Sequence, residues 1–416
     1  MEKREAGRLL CDFLSGRKIP EARLEKLSPA DWESLADWAL RFKVGALFYR
    51  EIKSRDFSTE LIPVDVRNRL REAYRNLATT NTSLFLNVAQ VLESLDDNHM
   101  PVIVLKGLSL AKHIYGDIAL RPMHDMDLLV KEEDLVRAGR MLLTLGYEQY
   151  CPAWESILKT YHHLPPFQNK SGATIELHWN IVTPDSPIKV DIDGLWERAC
   201  LIKVDNVEVR ALSPEDLFLH LCSHACFHLQ TGLDLIPLCD IAGLIKTSAD
   251  TIDWQIVRER ATRWGGQKCV YLMLLLVQDL LGAAPPDKIM SEMKPPDYQS
   301  VYRDEAVEQI MCDITPTGQL IGIRIGGLSK IAQVKGIKGK VSALLKGAFP
   351  SREYLARIYP VSVSSPKIYL CYVLRLHHRI VWYAAVLLRL FHRDQSIITE
   401  VRQANRGSAV SNWLLS

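Results

Sequence analysis

The sequence predicts an α+β fold in which a small α/β unit sits between N- and C-terminal helical regions. Three observations predict it. Residues 1–99 repeat apolar side chains at spacings of three and four, the period shifts to short β-branched runs from Met100, and helical spacing returns after Ser213. At 416 residues, 48% apolar and 24% charged, the chain has the composition of a globular protein long enough for two or three domains. The expected division is an N-terminal helical region (1–99), the α/β unit (100–212), a helical domain packing on it (213–290) and a basic C-terminal helical region (291–416).

The helix read from "SPADWESLADWALRFKVGALFYREI" begins with Ser28 as N-cap, Pro29 at the first helical position and acids in the first turn. A second, long helix runs to Asn98. "MPVIVLKG" then reads as a buried strand ending at Gly107, "LSLAKHIYGD" as a short helix, and "DMDLLV" as a strand. "KEEDLVRAGRMLLTLGY" is an amphipathic helix, and "ATIELHWNI" and "VEVRAL" are strands. Ser213 opens the helix "LFLHLCSHACFHL", and three more helical stretches lead to "AAPP". "PPDKIMSEMKPPD" reads as a linker, residues 300–348 are mixed, and "KIYLCYVLRLHHRIVWYAAVLLRLFHR" reads as a helix pair or one long basic helix.

The chemistry concentrates in "RPMHDMDLLV". On a strand, Asp125 and Asp127 share a face about 6.6 Å apart, where two carboxylates repel unless a counter-charge lies between them. A pair of magnesium ions would supply it and hold the phosphates of a nucleotide in line for attack. Glu176 and His178 share a face of a later strand, where Glu176 can join the metal set and His178 can orient a carboxylate or hydrogen-bond a phosphate. Gly107 opens a helix and lets backbone approach phosphate, with Lys106, Ser109 and Arg121 at hand for the β and γ phosphates. The "HD" at His124 and Asp125 also suggests a histidine-aspartate phosphohydrolase, but that class needs the pair on a helix.

The order glycine turn, acid-x-acid strand, later acid resembles the polymerase-β-like nucleotidyltransferase superfamily. More closely, "VLKGLSLA", "YGD", "RPMHDMDLLV", "HHLPPF", "IELHWNI", "LSPEDLFLHLCSHACFH" and "LCDIA" look like the bacterial family labelled uncharacterised nucleotidyltransferase, over roughly residues 30–290, with "FPSREYL" as a further feature. The resemblance implies a small polymerase-β-like unit with a mixed sheet. It implies catalytic and metal-holding roles for Asp125, Asp127 and Glu176, and Mg²⁺ or Mn²⁺ as the cofactor. It also implies an NTP substrate, ATP foremost, and transfer of NMP to an unidentified hydroxyl or phosphate acceptor. Two departures stand out: Leu108 follows the glycine where the superfamily commonly has Ser, and the third carboxylate is Glu rather than Asp. The alternative is a non-catalytic nucleotide- or partner-binding protein on the same fold.

His220, His224 and His228 recur every four residues and line one helix face. Histidines packed between helix and sheet are the plainer reading; the other places His224, His228 and Asp240 toward the active site as supporting residues. Of His162 and His163, strand alternation allows only one to face a shared site, and His163 fits the family pattern better.

Nine cysteines without a CxxC pair predict reduced thiols in a cytosolic protein. No signal peptide is visible, and the longest C-terminal apolar run, residues 380–388, is too short to span a bilayer. Residues 314–393 hold thirteen Lys or Arg against one acid, Glu353. The segment's apolar stretch reads either as an internal helix pair that completes the protein's own core, with Trp382, Tyr383 and Leu387 as core residues, or as a surface for an anionic membrane or a protein partner, with peripheral membrane association as one outcome.

Overall fold

The computed structural model describes residues 3–54, 61–149, 154, 161–204, 207–229, 235–311, 365–391 and 409–416, together with 349, 350, 352, 355, 359 and 361. Helices α1 (Lys3–Ser15), α2 (Glu21–Leu24), α3 (Pro29–Arg41) and α4 (Gly45–Ser54) precede the long α5 (Val64–Asp97). Ser28 caps α3 in a reciprocal capping box with Asp31, as its sequence predicts. The expected single helix beyond it is broken. Lys43 takes φ 60°, its N–H bonds the Leu40 carbonyl, and the Val44 N–H bonds the Ala39 carbonyl at 2.8 Å. This is a Schellman ending, made on a lysine because it carries Val44 into the core.

Six strands follow: β1 (Val102–Val104), β2 (Met126–Val130), β3 (Phe167–Gln168), β4 (Thr174–His178), β5 (Cys200–Val204) and β6 (Val207–Ala211). They form one mixed sheet in the order β3-β4-β2-β1-β6-β5, with β2 parallel to β4, β1 parallel to β6 and the other neighbours antiparallel. Between β1 and β2 lies α6 (Leu108–His113), after β2 comes α7 (Leu135–Thr144), and before β5 comes α8 (Ile192–Arg198). The short β3, the edge strand β5 and α8 are elements without a signal in the sequence reading.

The two sheet faces meet different cores. Val102, Val104, Met126, Leu128, Val130, Ile175 and Leu177 pack with α7 and the C-terminal half of α5. Ile103 and Leu129 point the other way, into the core formed by the flanking helices. Those helices include α9 (Pro214–Leu229), α10 (Leu235–Thr247), α11 (Trp254–Arg263), α12 (Gln267–Leu281), α13 (Asp287–Met293) and α14 (Ser300–Met311). α1 packs directly on α12, so N- and C-terminal helices share one core. The stretch expected to be a linker is instead α13, held by the buried Ile289 and Met293. Its flanking prolines bound a helix rather than an open segment.

A further helix, α15 (Ile368–Phe391), is continuous, which settles the choice between a helix pair and one long helix. Among the described residues no helix is long and apolar enough to cross a membrane. The described cysteines are all free thiols. Residues 312–348, residues 351, 353 and 354 of "FPSREYL", and the side chains of Trp382, Tyr383 and Leu387 lie outside the described residues.

The loop joining α6 to β2 is pinned to α5. Asn81 is fully buried, and its Nδ2 donates to the carbonyls of Ile118 and Arg121, while the Tyr74 hydroxyl donates to Asp117 at 2.8 Å. Asn81→Ala would leave both carbonyls without that donor in a dry setting. It is expected to cost about 1–3 kcal/mol, seen as a lower urea midpoint with an unchanged slope.

Candidate active site

Alternation along the strands sends Asp127, Glu176 and His178 to the sheet face opposite the Met126, Leu128, Ile175 and Leu177 core. Parallel pairing of β2 with β4 then sets Asp127 directly beside Glu176. Single ligand atoms of Asp127, Glu176 and His178 all lie within 4.8 Å of one another, the one such metal-competent group among the described residues. Asp125 is outside this group: β2 begins at Met126, and Asp125 stands half-buried just before it. Thus the acid that converges with Asp127 is Glu176 across the sheet, joined by the imidazole of His178.

Asp127 is only 4% exposed and is held on both sides. The Lys106 ammonium lies 3.2 Å from Oδ2, and His178 Nε2 donates to Oδ1 at 3.1 Å. The same Nε2 is 3.5 Å from Glu176 Oε2. Burial works against the Asp127 charge, yet Lys106 and His178 outweigh it and hold the carboxyl well below its usual range. Burial likewise disfavours a charged His178, but its hydrogen bonds to Asp127 and Glu176 raise its pKa above 6.5. Asp125 has the opposite fate: burial and the neighbouring Asp127 and Glu176 charges push it up from 3.8 to about 6.

Lys106 follows β1 and precedes Gly107, whose φ of 45° is a conformation that favours glycine. Its ammonium donates to His224 Nε2 at 2.8 Å. Burial, Lys106 and His228 press the His224 pKa well below 6.5, so a neutral imidazole accepts that bond. His228 packs against His224 with ring centroids 4.4 Å apart. One turn before His224, His220 is buried, neither ring nitrogen has a protein partner among the described residues, and burial lowers its pKa to about 3. The histidine face of α9 therefore includes one member, His224, that touches the site and one, His220, that is enclosed beside it.

His163 approaches Glu176, Nδ1 to Oε2 at 4.0 Å, and pairs with His178 in an isolated antiparallel bridge. The expectation that only one of His162 and His163 reaches the site does not hold. Their ring centroids lie 5.3 and 5.0 Å from that of His178, because the chain bends at His162 rather than running as a strand. Burial lowers His162 to about 3 and also lowers His163.

Arg121 and Asp240 meet each other rather than the carboxylate cluster. Arg121 Nε and a terminal nitrogen donate to Asp240 at 3.0 and 2.9 Å, and the Tyr115 hydroxyl adds a bond of 2.7 Å. Both charged side chains are buried. A side chain built on Gly107 would come within 3.9 Å of the Arg121 guanidinium, so the pair backs the glycine turn. Ser109 is buried in the first turn of α6. Asn81, Tyr74 and Tyr115 escaped the sequence reading; an asparagine on the apolar stripe of α5 was the available signal.

The model of the uncharacterised nucleotidyltransferase family matches residues 28–282, more than half of the chain. The chain belongs to that family. The match takes in the whole sheet and α3 to α12. No curated protein and no solved structure matches the chain.

The raised Asp125 predicts a pH signature in the metal-free protein. A carboxyl whose folded pKa exceeds its unfolded value destabilises the fold once ionised; that cost is absent below about pH 4 and complete above about pH 7. Asp125→Asn should remove it. Urea unfolding in chelator should show a gain of up to ~3 kcal/mol near pH 7.5, from roughly two pKa units at 1.36 kcal/mol each, with none at pH 4. A gain confined to acid pH would contradict the assignment.

Proposed function

We propose that the protein is a metal-dependent nucleotidyltransferase that moves NMP from an NTP, with ATP as first choice, to a hydroxyl or phosphate acceptor. The observation that carries this is the convergence of Asp127, Glu176 and His178 on one sheet face beside Lys106, in a chain of a nucleotidyltransferase family. Two carboxylates and an imidazole are donors that suit a divalent ion such as Mn²⁺ or Mg²⁺, with the imidazole favouring Mn²⁺ of the two. When bound, such an ion would neutralise phosphate charge and polarise the α-phosphorus.

The chain's own groups then have separable tasks. Asp127 and Glu176 would hold the ion, with Asp125 at the strand entrance as a further carboxylate. Glu176 is the less buried of the two metal-holding acids and takes the proton of the acceptor hydroxyl as its oxygen attacks the α-phosphorus and pyrophosphate departs. Lys106 turns from Asp127 to the departing phosphates. Gly107 and Ser109 form the turn against which those phosphates rest. His178 orients both carboxylates, His163 stands behind Glu176, and His224, packed on His228, aims Lys106. Arg121 acts through Asp240 to hold the turn, since its guanidinium is already engaged.

A second reading, a protein that binds nucleotide without turning it over, has one observation in its favour: Asp127 is already neutralised by Lys106 and His178. An NTP panel with Mg²⁺ or Mn²⁺, followed by pyrophosphate release and intact-mass labelling of acceptors, decides between them. For the enzyme, Glu176→Gln should lower kcat about 10²–10⁴-fold with KM little changed, and Asp127→Asn should abolish metal-dependent NTP binding. Tight NTP binding with no pyrophosphate from the wild-type protein establishes the second reading.

A further inference from the structure

The helix α15 has an anchored side and a bare side. Ile368 and Cys371 are buried with Leu355, and the Tyr372 hydroxyl donates to the Pro350 carbonyl at 2.7 Å. Tyr369, Val373, Leu376 and Ile380 follow one another at steps of four, three and four residues, which places them on one stripe of the helix. Val373 is 63% and Ile380 59% exposed, and Leu370 and Val381 widen the stripe. An exposed apolar stripe of this length is a binding surface or a liability.

Charge selects the occupant. Between Glu353 and Asp394 the sequence has no acid, while Lys367, Arg375, Arg379 and Arg389 lie in or beside the helix. The chain's own neighbouring segment, residues 314–348, carries six Lys or Arg and no acid, so laying it over this helix would set like charges together. A second copy docking on the same face would oppose basic helix to basic helix. The Arg352 guanidinium sits 4.9 Å over the Tyr369 ring, which puts a cation at the border of the apolar stripe. An apolar stripe with the Arg352 cation at its border, on a helix that has basic residues and no acid, fits the boundary between acyl chains and anionic headgroups.

We propose that the exposed face of α15 docks the protein on an anionic membrane surface, the helix lying in the interface rather than crossing it. The surface shares no residue with the carboxylate cluster, so this proposal and the nucleotidyltransferase reading stand or fall separately.

The test is sedimentation of the full-length protein with vesicles of phosphatidylcholine alone or with three-tenths phosphatidylserine. The expected result is at least ten-fold stronger binding to the anionic vesicles, weakening as salt rises, and a ten-fold or greater loss in a Val373→Asn, Leu376→Asn, Ile380→Asn variant whose circular dichroism and nucleotide binding are unchanged. Should that variant fold poorly, Arg352→Gln is expected to lower anionic binding and flatten its salt dependence. The proposal is overturned if the wild-type protein does not pellet, if it binds neutral vesicles equally well at all salt concentrations, or if a folded variant binds as the wild type does. Self-association that the triple variant abolishes, without vesicle binding, would identify a second copy as the occupant instead.

Discussion

A carboxylate buried in the middle of a sheet is the constraint around which the site is arranged. Asp127 sits on a strand whose every residue is buried, and an uncompensated charge there costs several kcal/mol. Two cations answer it from opposite sides, Lys106 from the end of β1 and His178 from β4. Both depend on strand register: β1 antiparallel to β2 places Lys106 beyond Val104, and β4 parallel to β2 brings Glu176 and His178 alongside. The Leu105 N–H also bonds the Asp127 carbonyl, so backbone and side chain of the same residue fix the end of β1. Asp125, with no comparable cation of its own, is pushed toward protonation.

The same arrangement sets the terms for metal. A divalent ion held by Asp127 and Glu176 would compete with the Lys106 ammonium, and His178 would have to lose its proton to ligate. Because the His178 pKa is raised, metal affinity should strengthen as pH rises through that pKa and weaken below it. The metal-free protein is therefore not an open acidic site but one filled by its own cations. On the proposed function, nucleotide phosphates would offer Lys106 an alternative anion, so metal and nucleotide would favour each other's binding.

Much of the site was legible because strand period is simple. Two-residue alternation puts Glu176 and His178 on one face, and the apolar runs around them mark the strands. Pairing was not legible: Glu176 could be placed on a later strand as a third acid, but nothing in the sequence says that β2 lies beside β4 in the register that sets Asp127 directly against it. His162 escaped alternation because an isolated bridge does not impose it. Lys43 hid a helix end because the Schellman geometry fell on a residue other than glycine, and α13 hid behind its prolines because burial of Ile289 and Met293 is a tertiary fact. Charge and apolar period gave the long C-terminal helix its signal, but not what covers it.

The two cations near Gly107 differ in a way that suits one to the proposed site and the other to its scaffold. Arg121 makes a bidentate bond to Asp240, shared with Tyr115, and all three groups are enclosed. Moving that guanidinium onto a phosphate would leave the buried Asp240 carboxylate uncompensated, a loss a single phosphate contact does not offset. Lys106 is differently placed. Its side chain is 15% exposed, its ammonium is a flexible point charge, and one of its two partners, His224, is neutral. On the proposed function, a Lys106 that turned to a phosphate would leave Asp127 its hydrogen bond from His178. Of the two cations, the one the proposed function leaves able to change partner is therefore the lysine, with the arginine pair held behind the glycine turn.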